Sequence, residues 1–147
     1  MNPRASRLTR NGWAALVSGG AMVVLSLGGC FTERQNEGAK LYAAHCSNCH
    51  GDQGQGLQRL IPPVAAADYV ARHRAELPCI IRKGMKGPMT VNGVAYNQVM
   101  PGHEDLTDSQ ITNLLNFLQT NWGNQNQPYT IREASELLGR CNGSDGQ

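Results

Sequence analysis

Large side chains are scarce in this sequence. Its 147 residues include only two Phe, two Trp and four Tyr. A domain of about 110 residues with so few large apolar groups has a thin core. Charge of one sign is lacking too, with 13 Lys and Arg against 11 Asp and Glu. Three of the basic residues, Arg4, Arg7 and Arg10, fall in a segment that reads as removable. From residue 30 onward ten basic residues face eleven acidic ones. That balance gives no electrostatic footprint for nucleic acid. No apolar run reaches the ~20 residues of a spanning helix. The longest, Trp13 to Leu27, is broken by Gly19-Gly20.

Against these absences stands Cys46-Ser47-Asn48-Cys49-His50. This is a C-x-x-C-H stretch, the attachment sequence for c-type haem. On a helix, residues three apart share a face, so both thiols reach one porphyrin edge and add to its two vinyl groups. His50, four residues after Cys46, reaches the iron from that same face as the proximal ligand. A buried porphyrin also supplies the bulk that the composition withholds. C-x-x-C alone has two plainer readings, a thioredoxin-like redox pair or half a zinc site. The following histidine and the export signals argue for haem.

Residues 1–12 are basic with no acid, Trp13 to Leu27 is apolar, and Leu27-Gly28-Gly29-Cys30 closes the segment. This is the layout of a secretory signal. The ending resembles the lipobox of bacterial lipoproteins, which implies cleavage before Cys30 and acyl chains on it. Two or more chains hold a protein firmly at a membrane where one would be marginal. The uncleaved-anchor alternative needs a longer run. Both place the remainder outside the cytoplasm, with the arginines inside. The expected location is therefore the cell envelope, on the periplasmic face. Phe31 after Cys30, where Asp would retain the protein at the inner membrane, leans towards outer-membrane sorting by resemblance to enteric lipoproteins. Phe31 to Asn36 is expected to be an extended tether.

Five cysteines are an odd number. With Cys30 lipidated and Cys46 and Cys49 on haem, Cys79 and Cys141 remain. An oxidising compartment favours bridging them, although either thiol standing free is the alternative.

Along the exported part, a first helix is expected from Glu37 to about His45. Gly38 there permits a close helix crossing, and His45 reads as a surface histidine. Residues 51–59 form a Gly- and Gln-rich loop. Ile61-Pro62-Pro63-Val64 cannot be helical. Its plain reading is a stop. Its functional reading is a wall against the haem, with a proline carbonyl, Pro63 in preference to Pro62, accepting the N–H of His50. Short helices are expected over 68–76 and 78–83, the second with Pro near its start and Gly84 as its cap. Arg72, Arg74, Arg82, Lys83 and Lys86 gather here, as a solvated face or as a contact for a propionate or an acidic partner. Asn92-Gly93 between two β-prone runs predicts a hairpin near 89–96.

Met100, fixed ahead of Pro101-Gly102, is the candidate second axial ligand. Met85, Met89 and His103 are its rivals. Thr107 with Gln110 forms a capping box, and Ile111, Leu114, Leu115, Leu118 and Trp122 recur at helical spacing, with Gly123 as the stop. Thr130 with Glu133 predicts a second capping box, followed by Ile131, Ala134, Leu138 and Cys141 on one face.

Taken in order, the attachment motif, Ile61-Pro62-Pro63-Val64, Met100-Pro101-Gly102, Leu106-Thr107-Asp108 and a helix ending Trp122-Gly123-Asn124 resemble a class I c-type cytochrome of the bacterial monohaem lipoprotein type. Val64 stands where that family usually has Leu. The resemblance covers about residues 37–124, between a signal (1–29) with its tether (30–36) and a C-terminal extension (125–147). It implies an all-α fold around one covalent haem c, with His50 and Met100 as the iron ligands. The function implied is one-electron transfer between redox partner proteins, with no small-molecule substrate and no catalytic residue. The alternatives are a fixed electron-entry subunit of an oxidase or dehydrogenase complex, a haem peroxidase or sensor if Met100 is displaceable, and a thiol oxidoreductase using Cys46 and Cys49.

Overall fold

The computed structural model describes residues 29–141, so the signal segment up to residue 28 lies outside the described residues. The chain divides into two compact units, residues 1–33 and 34–147. Only the last few residues of the first unit are described, as helical backbone. The rest of this section concerns the second.

Among the described residues six helices and four short strands follow one another: α1 Gly29–His45, α2 Ser47–His50, α3 Asp68–Arg72, α4 Leu77–Lys83, β1 Gly84–Met85, β2 Met89–Val91, β3 Val94–Tyr96, β4 Met100–Pro101, α5 Asp108–Thr120 and α6 Ile131–Leu138. Helices dominate, as expected of a class I cytochrome c fold.

Helix α1 begins eight residues earlier than Glu37, so the expected extended tether over 31–36 is helical instead. Glu33, Arg34, Gln35 and Asn36 include no proline or glycine to stop the helix from extending back. At Gly38 α1 crosses α5. A Cβ there would lie 2.7 Å from the Cβ of Phe117 and closer still to the carbonyl of Asn113, so only a residue without a side chain permits this approach. Tyr42, one turn on, packs edge-on to Trp122 with centroids 4.6 Å apart and against Phe117 at 5.8 Å. Three of the eight aromatics thus meet at one crossing.

Helix α5 starts with the expected capping box. The Thr107 hydroxyl accepts from the Gln110 N–H, and the Gln110 side chain accepts from the Thr107 N–H at 2.9 Å. Its stripe Ile111, Leu114 and Leu115 is fully buried, which is where the 3, 4, 7 spacing points it. The helix ends at Thr120, short of Gly123. Trp122 turns to a φ of +51°, and its carbonyl accepts from Ala66 N at 3.0 Å.

Helix α3 stops at Arg72 where the sequence suggested a run to Glu76. Pro78 has no N–H to give the Arg74 carbonyl. Tyr129 Oη donates to that carbonyl instead, at 2.7 Å, and α4 begins separately. The hairpin β2–β3 forms with Met89 opposite Tyr96, and Asn92 and Gly93 both take positive φ, as its tight turn requires. A second antiparallel pair was not expected: β1 with β4, placing Met85 opposite Met100.

The C-terminal extension packs on α4 and α5, and Cys79 is bonded to Cys141 with Cα atoms 5.3 Å apart. Ala134, Leu138 and Cys141 are buried, but Ile131 is half-exposed, so the predicted apolar face lacks its first member. The second capping box is half-formed. Thr130 Oγ1 accepts from Glu133 N at 3.1 Å, while the Glu133 carboxylate is drawn away to Arg74 Nη2 at 2.9 Å. The Arg74 guanidinium also lies 3.7 Å over the Tyr129 ring.

Candidate cofactor site

The C-x-x-C-H stretch continues the backbone ladder of α1. Cys46 N donates to Tyr42 O and His50 N to Cys46 O, both at 2.9 Å, before Gly51, at φ +78°, breaks the run. Helical spacing therefore brings Cys46, Cys49 and His50 to the edge of one cavity, which all three line.

The His50 ring is held from behind. Its Nδ1 lies 3.0 Å from the Pro62 carbonyl oxygen. A carbonyl can only accept, so Nδ1 carries the proton and Nε2 keeps its lone pair. Nε2 has no hydrogen-bond partner among the described residues. Burial lowers the His50 pKa below the usual histidine value, partly offset by the bond to Pro62. The ring is thus a neutral imidazole, as a metal ligand must be.

The acceptor corrects the expectation of Pro63. Pro63 lines the cavity, but the carbonyl of its neighbour Pro62 accepts the hydrogen bond. Gly56 decides this. Its N–H donates to His50 O at 2.7 Å, and a Cβ on it would meet the carbonyl carbon of Pro62 at 2.7 Å. The loop and the proline pair therefore close directly over the ring.

The remaining wall comes from distant parts of the chain. Val70 of α3, Leu77, Ile80 and Ile81 of α4, Val91 of β2, and Leu114 and Leu118 of α5 line it with Ile61, Val64, Val99 and Pro101. Apart from the motif, only Tyr42, Tyr69 and Gln98 bring polar groups. Met85, Met89 and Met100 all line it as well. His103 does not; its ring faces His45 at 5.2 Å.

The Met100 backbone is fixed by two opposed glycines. A Cβ on Gly84 would fall 2.7 Å from Gly102 N, and one on Gly102 would fall 2.6 Å from Arg82 O. Asn124 ties the far end of the wall, with Nδ2 donating to Val64 O and Leu118 O at 2.8 Å each and Oδ1 accepting from Ala67 N at 3.2 Å. Asn124 closes the Trp122-Gly123-Asn124 stretch of the resemblance, but its role is not legible there, because Val64 and Ala67 lie far from it in the chain.

The cavity measures about 200 Å³. Two thiols three residues apart, one imidazole with a free nitrogen and thioethers in the wall of such a cavity fit a haem attached through Cys46 and Cys49.

They do not fit a thiol redox pair. Burial, reinforced by Cys49, pushes the Cys46 thiol up to about 11, whereas redox-active thiols are shifted down. Nor do the basic residues form a free patch. Arg72 pairs with Asp68, Arg74 with Glu133, Arg82 with Asp108 and Lys83 with Glu104, while Lys86 is exposed.

Residues 35–122 match the family model for cytochrome c. Over 125 residues the chain is 35% identical to cytochrome c-552 of Thermus thermophilus, an alignment that covers 79% of this chain and 83% of that protein. Over 104 residues it is 33% identical to the cytochrome c subunit of a quinone alcohol dehydrogenase from Gluconobacter oxydans, covering 69% of this chain and 21% of that subunit.

Proposed function

The chain belongs to the cytochrome c family and is an electron-transfer protein with one covalent haem c; from that premise we propose that it is a His50/Met100-ligated carrier, held by lipid on Cys30 at the periplasmic face of a membrane. The haem, when bound, supplies a one-electron iron couple. The rest is the work of the chain. Cys46 and Cys49 anchor the group. The Pro62 carbonyl fixes the His50 tautomer and makes the ring more basic. The aliphatic wall keeps water from the interior, which favours the less charged state of whatever sits there.

The observation that carries the reading is that His50, with Nε2 free, and Met100, on a glycine-clamped strand, line one apolar cavity. Met85 and Met89 share that wall, so the methionine is the point to test. In the ferric protein a sulfur-to-iron charge-transfer band is expected. It should vanish in Met100→Ala and survive Met85→Ala and Met89→Ala. A wild type that lacks the band and binds carbon monoxide at once would support the peroxidase or sensor reading instead.

The proposed anchor makes delivery local, with the outer membrane favoured by Phe31. Cys30→Ser is expected to release the haem-loaded protein from membranes, and an unchanged membrane fraction would count against lipidation. A second reading, a fixed electron-entry subunit, is favoured by the likeness to a dehydrogenase's cytochrome c subunit. Co-purification in constant ratio with a dehydrogenase or oxidase from native membranes would establish it.

A further inference from the structure

The cofactor site leaves two histidines unused, and they stand together. His45 closes α1 directly before Cys46, and His103 follows β4, held by its backbone N–H on Ile81 O at 2.9 Å. Both are partly exposed, and neither lines the cavity. Their ring centroids are 5.2 Å apart and their planes meet at 75°.

An imidazole nitrogen binds zinc at ~2.0–2.1 Å, which puts the ring centroid about 3.2 Å from the ion. Two such rings at a tetrahedral angle then have centroids about 5.2 Å apart. The observed centroid separation is compatible with a chelating pair.

We propose that His45 and His103 form a surface site for one divalent transition ion of the zinc type, separate from the haem iron. Among the described residues no third His, Cys, Asp or Glu joins the pair. Water therefore completes the shell, and the ion is exchangeable and only moderately tightly held. Two imidazoles select borderline ions such as Zn²⁺ and Cu²⁺ over Mg²⁺ and Ca²⁺, which take oxygen ligands. The bound ion joins the end of the helix that presents Cys46 to the loop that follows Met100, and so ties two walls of the cavity together. The competing account is an edge-to-face ring contact, which has the same spacing and needs no metal.

The test titrates Zn²⁺, a redox-inert probe, into the haem-loaded protein, using calorimetry and thermal melting. One Zn²⁺ per chain and a zinc-dependent rise in Tm are expected, with no response to Mg²⁺. His45→Gln and His103→Gln should each weaken binding by about ten-fold or more and remove the rise, while His73→Gln leaves both unchanged. Imidazole resonances of the unmodified protein give a check that needs no variant, since Zn²⁺ should shift those of His45 and His103 together. Absence of binding at millimolar Zn²⁺, binding that survives both substitutions, or shifts confined to other histidines would overturn the proposal.

Discussion

Replacing Cys79 and Cys141 together by alanine isolates what the C-terminal staple does. Alanine is chosen because Cys141 is only 3% exposed, and a serine there would bury a hydroxyl. The bond closes a loop of 62 residues. In the chain-entropy model such a loop restricts the unfolded chain by about 4 kcal/mol.

The folded state should change little, because the extension has other holds. Arg74 binds Glu133 at 2.9 Å and lies over Tyr129. Asn116 accepts from Tyr129 N at 2.6 Å and donates to Tyr129 O at 3.0 Å. The loss therefore belongs mainly to the unfolded state. At roughly 4 °C per kcal/mol for a domain just above 100 residues, it lowers Tm by about 15 °C.

The assay is thermal and guanidinium unfolding of the haem-loaded variant beside wild type, oxidised and reduced. Reduced wild type should unfold where the double variant does. Near-UV circular dichroism at 25 °C should be unchanged. A stability loss under about 1 kcal/mol would refute the argument. So would a near-UV spectrum already altered in the folded variant, which would mean that the bond shapes the native state.

Three further outcomes are expected. Gly102→Ala places a Cβ 2.6 Å from Arg82 O and 2.8 Å from Gly84 N, with backbone on both sides, so β4 must shift. The haem-loaded variant should lose the thioether band while keeping its secondary structure, and a wild-type spectrum would refute the clamp. Asn124→Ala strands two carbonyls and one N–H in the interior and should destabilise by about 3 kcal/mol in denaturant titrations; a loss under about 0.5 kcal/mol would mean that water replaces the amide. Tyr129 is pushed up to about 12, chiefly by burial. A folded-state pKa above the unfolded value of 10.0 gives stability that is complete below pH 10 and lost as pH rises towards 12. Stability measured from pH 9 to 12 should therefore fall less steeply in Tyr129→Phe than in wild type, and identical slopes would refute it.

Much of this protein is written in short-range pattern. The two thiols and the imidazole of the attachment stretch fall within one helical turn, so their spacing alone puts them on one face. The Thr107–Gln110 box and the Asn92-Gly93 turn join residues three or fewer apart, and the α5 stripe follows from the period of the helix. Such features need no knowledge of the rest of the chain.

What remained was settled by partners far apart in sequence. Pro62 and Pro63 look alike in the sequence, and the choice between their carbonyls depends on how closely Gly56 approaches. The β1–β4 pair, the reach of Asn124 to residues 64 and 67, and the capture of Glu133 by Arg74 are all long-range. Three methionines enter the same wall because β1, β2 and β4 converge on it. A chain specifies its helical turns residue by residue, but which carbonyl points at a ring depends on backbone torsions that only the packed fold holds in place.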